Sequence, residues 1–142
     1  MRTDQHLDIG SKIKSDVSAF SGVANSAVTG NAVQRVGQGF RYDSGQLVVG
    51  TGAATGSPTG ISVAGKLQDS ADGSTNWNDV TGAAITPVIA ENGTAKVNVI
   101  LRGCQAYIRA VVTPTFTGGS SPAIPVVGIL IVGGNSEAGG VV

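Results

Sequence analysis

The residues able to do chemistry are few and scattered. The 142-residue chain carries one histidine, His6, and one cysteine, Cys104. A nucleophilic thiol needs a neighbouring base or cation to hold it as thiolate. The flanks of Cys104, Arg102-Gly103 and Gln105-Ala106, contain no histidine, and His6 lies far away in a polar leader. Cys104 therefore reads as a buried or half-buried structural thiol, and a lone cysteine excludes an intrachain disulfide. Gly60-Ile61-Ser62-Val63-Ala64-Gly65-Lys66 has the glycine and lysine spacing of a phosphate-binding loop. The magnesium-holding hydroxyl that should follow is replaced by Leu67, and the β-branched run between the glycines favours extended backbone over a curled cradle. Gly50-Thr51-Gly52-Ala53-Ala54-Thr55-Gly56 follows an apolar run as a dinucleotide loop would, but Ser57-Pro58-Thr59-Gly60 stands where a helix must begin, so it reads as a loop between strands. Gln68-Asp69-Ser70-Ala71-Asp72-Gly73 is similar to a calcium loop, yet Gln68 and Ser70 occupy its first and third ligand positions and Asp79 its last. Asp69, Asp72 and Asp79 offer at most a weak cation site, and a polar hairpin turn is the plainer reading. Asn92-Gly93-Thr94 matches a glycosylation acceptor but sits where a turn is expected. With one histidine and singly placed carboxylates, no nucleophile, base and orienting group come together. No catalytic, cofactor-binding or metal residue is assigned, and the chain is read as a binding protein, not an enzyme.

Charge narrows the partners. Nine basic and nine acidic residues give a formal net charge of zero. Phosphate backbones and anionic bilayers are gripped by excess Lys and Arg, so nucleic acid and membrane are not expected partners. Charged residues are 13% of the chain against 41% hydrophobic, the reverse of the balance in disordered chains. The most apolar run, residues 123–132, is about half the ~20 residues of a spanning helix and is interrupted by Pro125 and Gly128. It reads as a strand buried on both sides. The polar opening, Met1 to His6, leads into no apolar stretch, so a secretory signal is not expected.

The elements that would position any binding residues are strands. Candidates cover residues 32–36, 40–42, 46–49, 61–68, 77–80, 84–89, 95–101, 106–113 and 126–132. In residues 95–101, Val97, Val99 and Leu101 share one face and Lys96 and Asn98 the other. Asp72-Gly73, Asn92-Gly93, Arg102-Gly103 and Gly118-Gly119 punctuate the runs with residues that accept positive φ. Short strands about ten residues apart predict an all-β fold, a β-sandwich of jelly-roll type. Residues 1–32 differ, with sparse apolar positions and a third of the charges. Leu7 and Ile9 alternate as in a strand, whereas Ile13, Val17 and Phe20 have helical spacing. They are read as an arm that orders against another subunit, with residues 33–142 as the sandwich domain. The alternative is an edge strand and short helix packed on the same domain. Leu7, Ile9, Ile13, Val17 and Phe20 are the expected partner-binding residues.

The stretch from Val63 to Val80, with Gln68-Asp69-Ser70 ending a strand, an Asp72-Gly73 turn and Trp77 leading the return strand, resembles small β-sandwich virion proteins of tailed bacteriophages. Trp77, the only tryptophan, is expected to plug one end of the sandwich with its N–H on a backbone carbonyl. Over residues 60–133 the chain is similar in style to capsid decoration (cement) proteins. That resemblance implies a structural protein made in the host cytoplasm and located on the virion capsid exterior. It would bridge neighbouring major capsid proteins and hold the shell against DNA pressure. It also implies a homo-oligomer, dimer or trimer, gaining by multivalency. A tail, neck or fibre module and a carbohydrate-binding or adhesin domain are the competing expectations.

Overall fold

The computed structural model describes residues 13–135, with side chains over 23–134. Ten strands form two antiparallel sheets, with no helix among the described residues: β1 (Ile13–Val23), β2 (Val28–Thr29), β3 (Val33–Gln34), β4 (Val36–Gly37), β5 (Phe40–Thr51), β6 (Gly60–Ser70), β7 (Asn78–Ala84), β8 (Thr94–Ile100), β9 (Tyr107–Thr117) and β10 (Ile124–Asn135). One sheet runs β1-β10-β5-β8, with β4 pairing the start of β5. The other runs β7-β6-β9, with β2 and β3 as two short pieces on the far side of β9. Counting β2 and β3 as one position and β4 as an extension of β5, the chain shuttles between sheets as a jelly roll does.

Alternation builds the core. Leu47, Val49, Val63, Leu67, Ile108, Val112, Ile124 and Val132 project inward from both sheets and are fully buried. The sheets approach closely at Gly65, where an added Cβ would lie 2.7 Å from a Val49 methyl. The expected turns hold: Asn92 takes φ 52°, and Gly73 takes φ 77° with its Cα face against the Tyr107 ring. Only small or amide residues enter this region cheaply.

The structure revises several expectations. Residues 13–23 are the edge strand β1, paired antiparallel with β10 from Ile13↔Gly133 to Val23↔Ile124. Residues 28–29 pair with β9 in the other sheet. The chain from Ile13 is thus built into the sandwich, and the expected boundary at residue 32 falls inside it. Backbone pairing with β10 satisfies the N–H and C=O groups that helical spacing alone leaves undecided. The predicted strands at 40–42 and 46–49 are one strand, because Ser44 and Gly45 pair on both sides, with Ile100 and Val99 in β8 and with Gly133 and Val132 in β10. Of the strand expected at 84–89, Ala84 ends β7, and the rest is a loop tied to β6 by the Ile85 N–H on the Gly65 carbonyl and by the bridge Val63↔Val88; Pro87 has no N–H to continue a ladder. Trp77 is half-buried outside the core and does not plug an end of the sandwich.

Candidate interaction surface

The two outer faces differ in chemistry. On the β7-β6-β9 sheet, polar side chains satisfy one another. Arg109 donates from Nε and Nη2 to Gln68 Oε1 at 3.1 and 2.8 Å. Its guanidinium lies 4.2 Å over the Trp77 ring, a cation–π contact. Gln68 Nε2 donates to Asp79 Oδ1 at 2.8 Å, and Lys66 Nζ to Asp79 Oδ2 at 2.7 Å. The bonds from Lys66 and then Gln68 hold the Asp79 carboxyl below its usual range. This face is a closed polar ladder suited to water.

The β1-β10-β5-β8 sheet turns a different face outward. Inward residues of β10, Val126, Leu130 and Val132, are buried. The residues between them, Val127, Ile129 and Ile131, face out and are half-buried. The strand is apolar on both sides, and its outward side is the less buried of the two. The register aligns cross-strand rows: Ile129 beside Val48 and Lys96, Ile131 beside Gln46 and Asn98, Gly133 beside Ser44 and Ile100. Gln46 Nε2 donates to Asn98 Oδ1 at 2.7 Å, and Ile100 is 81% exposed. Around Ile100, Ile131, Gly133 and Gly134 these rows enclose an open groove of about 740 Å³. Adjacent aliphatic side chains on an outward sheet face make this the candidate site of association.

Of the residues expected to bind a partner, Leu7 and Ile9 lie outside the described residues. Ile13, Val17 and Phe20 share β1, in register with Gly133, Ile129 and Val126 of β10. The structure brings these three to one sheet edge, beside the apolar face. Val48, Val127, Ile129 and Ile131 were not singled out from sequence; for the three in β10 the signal was present in the apolar run of residues 126–132, which reads as buried on both sides.

The chemistry-bearing motifs resolve into structure. The loop-like glycine–lysine stretch is strand β6. Asp69 accepts the Gln105 N–H at 2.9 Å, Asp79 belongs to the polar ladder, and Asp72 organises its own turn. Among the described residues no three metal-ligating side chains gather. Burial pushes the Cys104 thiol up, with Asp69 adding to the shift and Arg35 opposing it, so it is not poised as a thiolate.

Asp72 yields a sharp titration. Its carboxylate accepts the Thr75 hydroxyl at 2.6 Å, the Thr75 N–H at 2.8 Å and the Ser74 N–H at 2.9 Å. These bonds hold its pKa well below the carboxylate range. A depressed folded pKa means that the turn's stabilisation is present above the unfolded value, about 3.9, and is lost as pH falls through the folded one. A side-chain ¹³C titration is expected to show Asp72 still ionised at about pH 3, where an unperturbed aspartate is mostly protonated. A midpoint near 4 would remove this account of the turn.

No protein-family model matches the chain, and no curated protein sequence matches it. Solved structures resemble it in fold. A chain of infectious bursal disease virus, Gx strain, aligns over 90% of this chain at 13% identity and TM-score 0.51. This chain spans 33% of that one, about a third of its length. Weaker likenesses include cowpea mosaic virus top component, naturally occurring empty particles, at 10% identity and TM-score 0.43, covering 92% of this chain and 88% of that one. Bacillus endospore appendages, a family of disulfide-linked pili, align at 13% identity and TM-score 0.39, covering 86% and 88%. The first likeness agrees with the jelly-roll topology.

Proposed function

We propose that this protein is a structural virion component that docks on the outside of a tailed-bacteriophage head, bridging neighbouring major capsid proteins and stabilising the shell. The observation that carries the reading is the contrast between faces: one sheet presents a closed polar ladder to water, the other an apolar row of Val48, Val127, Ile129 and Ile131. A surface so divided suits a subunit laid flat on a protein shell with its polar sheet outward. Zero net charge supports dense packing of copies without mutual repulsion. The resemblance of the segment around Asp72-Gly73 and Trp77 to phage virion β-sandwiches points to the same setting.

The test is co-sedimentation of the purified protein with expanded, DNA-free shells of the matching major capsid protein, followed by imaging of the particles. Binding over the head surface is expected. Ile129→Lys, which sets an ammonium in the middle of the apolar row, is expected to weaken binding about a hundredfold while circular dichroism stays unchanged. Density confined to the tail, or unaltered binding by the variant, would sink the reading.

A further inference from the structure

The outer edge of β8 is open to a further strand among the described residues. Among the described residues β8 pairs with β5 alone. Two hydrogen bonds bracket the strand and set its phase: Thr51 N–H donates to the Gly93 carbonyl at 2.9 Å, and Leu101 N–H to the Asp43 carbonyl at 2.8 Å. In an antiparallel ladder such pairs recur at every second residue. Ala95, Val97 and Val99 therefore turn their backbone groups toward β5, and Thr94, Lys96, Asn98 and Ile100 turn theirs outward, away from the sheet. An edge of this kind is a template for another strand.

We propose that β8 pairs antiparallel with β8 of a second copy, about a two-fold axis passing beside Val97. Three observations select this occupant and register. First, Val97 is the midpoint of Thr94–Ile100, so full overlap puts it on the axis. Its backbone groups point inward, as the non-hydrogen-bonded central pair requires, and the outward-facing residues fall into hydrogen-bonded pairs: Thr94 with Ile100 and Lys96 with Asn98 of the second copy. Second, Lys96 is the only charged residue of the strand. Centring the pair on Lys96 would set lysine against lysine, whereas the Val97 register sets each lysine against an amide. A lone edge lysine normally discourages pairing; here it discriminates between registers. Third, Ile100, 81% exposed, comes to lie against Thr94 of the second copy. The outward rows then continue across the dimer as one eight-stranded sheet, since each copy supplies four strands, β1, β10, β5 and β8. This contact is separate from shell docking and does not depend on it.

The test uses the full chain. Sedimentation equilibrium is expected to show a dimer. Asn98→Lys puts a lysine opposite Lys96 twice per dimer and is expected to raise the dissociation constant about tenfold. Asn98→Glu puts a carboxylate there instead and is expected to hold the dimer as tightly as the wild type or more so. Gln46, which now donates to Asn98 Oδ1, can bond either variant, donating to the carboxylate or accepting from the ammonium, so their difference reports the cross-strand pair. As a second readout, Val97→Cys in a Cys104→Ser background is expected to form a disulfide-linked dimer with oxidised glutathione. Non-hydrogen-bonded pairs sit about 4.5 Å apart at Cα, within disulfide reach. A monomeric or trimeric wild-type chain, equal dissociation by both Asn98 variants, or no cross-link at residue 97 would overturn the inference. A monomer that still binds shells leaves the docking face standing, and a dimer that ignores shells does the converse.

Discussion

Replacing Arg35 with methionine is expected to lower the unfolding free energy by about 3 kcal/mol, seen as a shift of the urea midpoint without a change in slope. Arg35 is 3% exposed and joins three parts of the chain. Its Nε donates to the Gln105 carbonyl at 3.0 Å, its Nη1 to the Tyr42 carbonyl at 3.1 Å, and its Nη2 to the Cys104 carbonyl. Asp43 Oδ1 lies 3.7 Å from Nη1 and also pairs with Arg41 at 2.8 Å. Desolvation by burial lowers the Arg35 pKa, but a guanidinium stays charged throughout the accessible range. Methionine keeps much of the packing volume and strips the donors, leaving carbonyls of the β8–β9 turn and of β5 without partners. Arg35→Lys is expected to recover little, because one ammonium cannot reproduce a planar fork spanning three carbonyls. A loss under about 0.5 kcal/mol would show that water replaces these bonds freely.

Leu67→Ala is expected to cost about 3 kcal/mol, measured by calorimetry or urea titration. Leu67 is fully buried in β6, directly across the ladder from Ala110 of β9. The cost is set by how far the walls can relax into the vacated space. Here they are restrained: β6 is paired along its length from Gly60↔Thr117 to Ser70↔Tyr107, and Gly65 already sits against Val49 of the facing sheet. The sheets cannot close further two residues away, so the cavity stays. A loss near 1 kcal/mol, below the transfer term of the three carbons removed at about 0.8 kcal/mol each, would mean that the walls close into the space.

Arg35 and the apolar face mark how far the sequence could be read. Val33-Gln34-Arg35 alternates, and alternation puts Arg35 on the same side as the buried Val33. That side was legible; the acceptors were not, because Tyr42, Cys104 and Gln105 reach Arg35 through folding of distant segments. Likewise Leu7, Ile9, Ile13, Val17 and Phe20 were read as an arm from weak, conflicting periodicity, and for residues 13–23 the tie breaks on pairing with β10, more than a hundred residues away along the chain.

What the sequence determined by itself is local: extended backbone in alternating and β-branched runs, turns at Asp72-Gly73, Asn92, Gly103 and Gly118-Gly119, and hence an all-β sandwich. Such features depend on steric limits within a few residues. The tertiary structure alone decided which side is covered where a strand is apolar on both. Residues 126–132 are apolar on both sides, and nothing within them distinguishes a strand sealed between layers from one with a bare outer face. That distinction depends on whether a second layer lies over the strand, and in this fold the inner side meets the opposite sheet while, among the described residues, no second sheet lies over Val127, Ile129 and Ile131.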